Sequence, residues 1–229
     1  MRNSHRMLAA IATLVAVAAI AATAGAQGRP IDEGTFMVSR AGAPSQTESF
    51  KIWRLEGGAL LATSSAVAGA HRITSSLRTD SLGTPLMYTV TVHDGGILRD
   101  SLVAAARGTR LQSHAQAHGD ESMREYQVVV GSTLILEDDL VHQLFFATVA
   151  KRTGRVQVIN PRASRGSNAT LVAHGLEPID VGGKSVTAAH YSLDGGSGRR
   201  DFWVDSAGRL LRVDAPEAGL KAVREELPR

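Results

Sequence analysis

No cysteine occurs anywhere in the 229 residues. That absence excludes a disulfide framework, a lipid-attachment cysteine and a cysteine nucleophile. Aromatic residues are scarce at 4%, and nowhere do they interleave with a basic stripe, so nucleic acid is not an expected partner. No Gly-x-Ser-x-Gly elbow follows an apolar strand. The glycine-rich Gly195-Gly196-Ser197-Gly198 has no helix after it and no phosphate-binding lysine, so it reads as a turn. Internal repeats are absent, and long apolar runs are confined to the N-terminus.

That terminus has the form of a targeting segment. Arg2 and Arg6 precede an apolar core, Met7 to Ala22, and Ala24-Gly25-Ala26 supplies a small-residue cleavage site before Gln27. The expectation is a signal peptide over residues 1–26, export to the periplasm (or secretion), and a mature chain, 27–229, with no transmembrane segment. Two of the 25 basic residues lie in the leader, which leaves 23 against 22 acidic ones, close to neutral. About 200 residues suffice for one sizeable core, and without disulfides that core must hold the fold alone.

From Gly34 the apolar period is two. Short alternating runs are separated by Asp80-Ser81-Leu82-Gly83, Asp94-Gly95-Gly96, Arg107-Gly108 and His118-Gly119-Asp120. Such turns tolerate positive φ and mark hairpins. The expected fold is mainly β, a meander of antiparallel strands of about seven to nine residues with one wetted face. A single domain is the simplest organisation. One stretch departs from this pattern. Glu137–Arg152 places Leu140, Val141, Leu144, Phe145 and Val149 at helical spacing. Asp138 and Asp139 fall where amide groups favour negative charge, and Lys151 and Arg152 fall at the other end. A helix over 138–151 is expected, wrapped by a long curved sheet.

The C-terminal third carries a resemblance. Phe202-Trp203-Val204-Asp205, a turn at Ser206-Ala207-Gly208 and Arg209-Leu210-Leu211-Arg212-Val213 follow an apolar helix and the Val181-Gly182-Gly183 turn before Lys184–Tyr191. This order resembles a group of uncharacterised bacterial periplasmic proteins, a domain of unknown function. These in turn are distantly similar in shape to outer-membrane lipoprotein carriers. The resemblance implies a half-barrel around a helical plug. It brings no activity with it.

Among residues able to do chemistry, His114 and His118 would stand about 13 Å apart on one strand face, too far to share a metal. His71, His93, His174 and His190 lie in strands without a nearby cysteine or spaced carboxylates, and His142 lies beside the helix's apolar face. No metal site, cofactor or catalytic set is expected, and the chain reads as non-enzymatic. The leading expectation is a binding or carrier protein for a lipid-like molecule. The helix face of Leu144, Phe145 and Val149 would form the floor. Strand positions such as Tyr88, Tyr126, Phe202, Val204 and Leu211, with Leu86, would form the walls. The alternatives are an envelope-assembly module binding a protein through a sheet edge, with these same side chains filling the interior, and an enzyme whose site motif reading does not see.

Overall fold

A computed structural model describes residues 28–117, 119–149, 153–196 and 198–229. The expected signal peptide lies outside these residues. Fifteen strands form one sheet: β1 (Arg29–Arg40), β2 (Gln46–Arg54), β3 (Leu60–Ala68), β4 (His71–Thr79), β5 (Pro85–Asp94), β6 (Ile97–Arg107), β7 (Arg110–Ala117), β8 (Asp120–Gln127), β9 (Thr133–Ile135), β10 (Gly154–Asn160), β11 (Arg165–Val181), β12 (Lys184–Gly195), β13 (Arg200–Val204), β14 (Leu210–Ala215) and β15 (Leu220–Arg224). Their order in space is β8 to β1, then β15 back to β9. The strands at the two chain ends, β1 and β15, therefore pair in the middle, with Phe36 opposite Arg224. The pairing is antiparallel except where β9 runs parallel to β10, a departure from the expected all-antiparallel meander.

The connectivity requires the sheet to curl. Its two outermost strands, β8 and β9, are consecutive in the chain, and six Cα–Cα steps of 3.8 Å keep Gln127 and Thr133 within about 23 Å. Laid flat, fifteen strands would separate those edges by about 67 Å at 4.8 Å per step. The structure resolves this by bringing the edges together. Gly131, in the β8–β9 connection, donates to Thr84 Oγ1 beside β5, and the Tyr126 ring of β8 lies against Gly166 at the start of β11.

Period-two patterning gives the curled sheet its inside. On β3, Leu60, Ala62 and Ala66 are buried, and β4 answers with Ile73 and Leu77. One cluster runs from Phe36 and Phe50 through Tyr88, Leu102 and Leu111 to Leu171, Phe202 and Val213. Leu86 is not part of it. It is 38% exposed, and the inward positions of β5 are Tyr88, Val90 and Val92.

The helical stretch is shorter than expected. Helical backbone begins at His142 as a 3-10 turn, His142–Phe145, and continues as α1 (Phe146–Val149). Residues 150–152 lie outside the described part. Residues 137–140 are not helical, because their polar groups are bound elsewhere. The Glu137 amide donates to the Gln143 side-chain oxygen at 2.7 Å. Asp138 pairs with Arg165 and Arg200, and Asp139 with Arg40 and Arg162. The carboxylate at the start of the helical turn comes instead from β2. Glu48, fully buried, accepts the amides of Val141 (2.7 Å) and His142 (3.2 Å), and also bonds His142 Nδ1. Leu140, Val141, Leu144, Phe145, Phe146 and Ala147 all join the main cluster.

A second, smaller apolar cluster lies on the outer face of the C-terminal strands: Ile179, Val181, Ala188, Trp203 and Leu211, with Val186 and Leu227 against it. One-sided wetting therefore fails over β11 to β14.

Candidate functional site

An opening of the interior lies beside the described part of α1. Phe145, Ala147, Thr148 and Val149 form one side. Leu171 and Ala173 of β11, Ala189 and Tyr191 of β12, and Val204 of β13 form the other. These strand residues face inward because they alternate with outward His190, Ser192 and Trp203. The open cleft has a volume of about 630 Å³, and Arg54, Ser81 and the Asp205–Gly208 turn line its solvent-facing part. At the mouth Asp205 is paired with Arg209 at 2.8 Å. Arg54 has no ion-pair partner among the described residues, so the unbalanced charge there is positive.

The expected ligand-binding residues separate into groups. Phe145, Val149 and Val204 meet in this cleft. Leu144 lies toward the other end of β2, in a smaller space of about 330 Å³ shared with Leu140, Val213, Leu220, Arg40 and Arg200. Tyr88 and Phe202 are fully buried in the main core and Tyr126 is half-buried at the β8 edge. Leu211 points to the outer face, in the second cluster, which removes it from any interior site. The sequence pattern missed Leu171, Ala173, Ala189 and Tyr191, whose inward alternation on β11 and β12 was available as a signal.

Three polar side chains that do not line the cleft, Tyr88, Glu137 and His142, are buried in the interior. Burial raises the pKa of the Tyr88 hydroxyl well above its ordinary value, and the Glu137 carboxylate adds to the shift. Burial also raises the pKa of Glu137, opposed by the Arg162 guanidinium that it binds. His142 is fully enclosed, stacked on Phe50 at 6.2 Å between ring centres, with Nδ1 on Glu48.

Outside, strand register assembles what the sequence did not suggest. His174 of β11, His190 of β12 and Asp201 of β13 bring one ligand atom each within 4.8 Å of one another. A bulge between Ala173 and Gly175 produces this arrangement. The extra residue shifts the alternation, so His174 and Glu177, three apart, reach the same face around His190. Gly175 takes φ +105° there, a conformation side chains rarely adopt. Glycine within a strand run was the available sequence signal. The expectation that these histidines lack carboxylate neighbours is corrected by the fold.

Comparison with known proteins bears on the fold alone. The sequence matches no protein-family model and no curated protein. Among solved structures it is similar to a beta-barrel-like protein of the domain of unknown function DUF1849 from Brucella abortus. The TM-score is 0.53 at 8% identity, over 84% of this chain and 94% of that one. The likeness is one of fold. A DUF1089-family protein from Pseudomonas aeruginosa aligns with TM-score 0.44 and 15% identity, over 79% of this chain and 93% of that one. The likeness to the Brucella protein supports a barrel-like fold and nothing finer.

Proposed function

We propose that this protein is a non-enzymatic carrier that works outside the cytoplasm, exported by its N-terminal segment, and holds one elongated apolar molecule with an anionic end. The helical stretch plugs a half-barrel, and the ligand lies between that plug and β11 to β13. The supporting observation is the cleft of about 630 Å³ bounded by Phe145, Val149, Leu171, Tyr191 and Val204, with Arg54, which has no ion-pair partner among the described residues, at its mouth. Its size falls within the range of small-molecule sites, roughly 300–1,000 Å³. Apolar walls select for length and girth. Arg54 gives a carboxylate or phosphate head a partner in water, where the chain end emerges. Each buried methylene contributes about 0.8 kcal/mol, so about ten approach the −8 kcal/mol of micromolar binding before ordering costs.

The test is titration with a fluorescent fatty acid and with its neutral alcohol analogue. Wild type should bind both in the micromolar range. Val149→Trp should abolish binding while the protein still melts cooperatively. Arg54→Glu should weaken the acid by about three- to fivefold and leave the alcohol unchanged, as for an exposed charge pair. Binding of neither probe would end the carrier reading.

A further inference from the structure

We infer that the outer face of β11 to β13 carries a divalent transition-metal site, with His174, His190 and Asp201 as ligands and Glu177 holding His190 from behind. The site is distinct from the apolar cleft and does not depend on it. The two lie on opposite faces of the same strands.

His190 has a carboxylate at each nitrogen. Nε2 lies 2.9 Å from Asp201 Oδ1, and Nδ1 lies 3.7 Å from Glu177 Oε1. A neutral imidazole has one N–H and one lone pair, so whichever tautomer forms turns a lone pair toward an anion. The arrangement therefore calls for a cation at one nitrogen. A metal on Nε2, shared with Asp201, lets Nδ1–H face Glu177. That is the carboxylate–histidine–metal arrangement that orients metal-binding imidazoles. Glu177 is itself fixed, because Trp203 Nε1–H donates to its Oε1.

His174 supplies the reason to prefer a metal over a proton. Its Nε2 lies 2.8 Å from Ser192 Oγ, and that hydroxyl donates its own hydrogen to Asp194 at 2.8 Å. Ser192 must then accept from His174 Nε2–H, which leaves Nδ1 with its lone pair. Its ring lies 4.6 Å from that of His190. A proton on His190 gains nothing from a second imidazole at that distance, whereas a metal gains a ligand. Two imidazoles and one carboxylate suit zinc or copper and leave a further position for water. Drawing the three ligand atoms from within 4.8 Å to tetrahedral separations, about 3.3 Å for 2.0 Å bonds, requires small side-chain movements. The competing interaction is Arg199, which binds Asp201 through two bonds of 2.8 and 2.9 Å but is exposed. A carboxylate has lone pairs enough for both.

The molecule contains its own reporter. Trp203 stacks on His190 with ring centres 4.6 Å apart and planes within 13°. The only other tryptophan is Trp53. In a Trp53→Phe background, chelator-treated protein should show Trp203 fluorescence quenched by one equivalent of Cu²⁺, and excess Zn²⁺ should restore it. Direct Zn²⁺ titration by calorimetry should give one site. His174→Ala leaves the His190–Trp203 stack in place and should weaken both signals by at least tenfold. Asp201→Asn should do the same, while Glu177→Gln should cost about tenfold through His190 orientation. Absence of saturable Zn²⁺ and Cu²⁺ binding up to 100-fold excess would overturn the inference. So would binding that His174→Ala and Asp201→Asn leave unchanged.

Discussion

Glu48 and His142 are 94 residues apart, and both are completely enclosed. Glu48 satisfies the first amides of the helical turn and holds the imidazole, so removing its side-chain oxygens strands three partners at once. Glu48→Ala should cost about 3–5 kcal/mol in urea denaturation, since each buried donor left without an acceptor costs about 1–3 kcal/mol. A loss under 1 kcal/mol would show that the helical turn does not need this cap. Glu137 gives a pH-dependent test. Burial raises its folded pKa above 4.5, so between 4.5 and that higher value the folded state binds more protons than the unfolded one. Its contribution to stability therefore declines as pH rises through this window. Asp32 shifts in the same direction, and the Glu137→Gln comparison isolates Glu137. The urea midpoint of Glu137→Gln, relative to wild type, should be higher at pH 7 than at pH 4. The reverse order would contradict the assignment. None of this was legible in the sequence. Asp138 and Asp139 looked like helix-start acids because local charge is visible in a sequence, and Glu48 is a long-range partner.

At the scale of elements, strand patterning was legible and helix extent was not. Hairpin turns at Asp94-Gly95-Gly96 and Arg107-Gly108 lie where Asp-Gly and Gly chemistry placed them, because they are local. The apolar spacing of 140–149 identified a buried stretch, yet Leu140 is buried ahead of the helical turn and Val141 only caps it. Burial rather than helical period set that pattern. β11 runs seventeen residues, about twice the expected strand length, with the bulge at His174 inside it. Phe145→Ala should cost about 3 kcal/mol, the low end for a buried phenylalanine, since one side already borders the cleft. Thermal or urea melting checks it. A neutral result would place the ring outside the core. The open edge, β8, carries Asp120, Glu121, Arg124 and Glu125 on exposed positions. Charges of this kind discourage strand addition, which counts against binding a protein through that edge.

In the whole molecule, the seam between the chain's two ends holds the curled sheet in one piece. At that seam Arg224, buried on β15, binds Asp32 of β1 through both terminal nitrogens, at 3.2 and 2.8 Å. Its guanidinium crosses Gly34, where a Cβ would lie 2.7 Å from the nearest nitrogen. Arg224→Leu leaves Asp32 buried without a partner and should cost about 3–5 kcal/mol, read as a lower urea midpoint for the entire sheet. Separate melting of the two halves would instead mean that β1 and β15 do not unite them. In the proposed function, the cleft between Phe145, Val149 and β11 to β13 holds an elongated apolar molecule. The most direct measurement is native mass spectrometry of protein purified without detergent from an envelope fraction, beside Val149→Trp prepared identically. The expected result is a co-purified lipid of fatty-acid size in near-stoichiometric amount on the wild type and none on the folded variant. Wild-type protein free of lipid, or lipid carried equally by both, would contradict it.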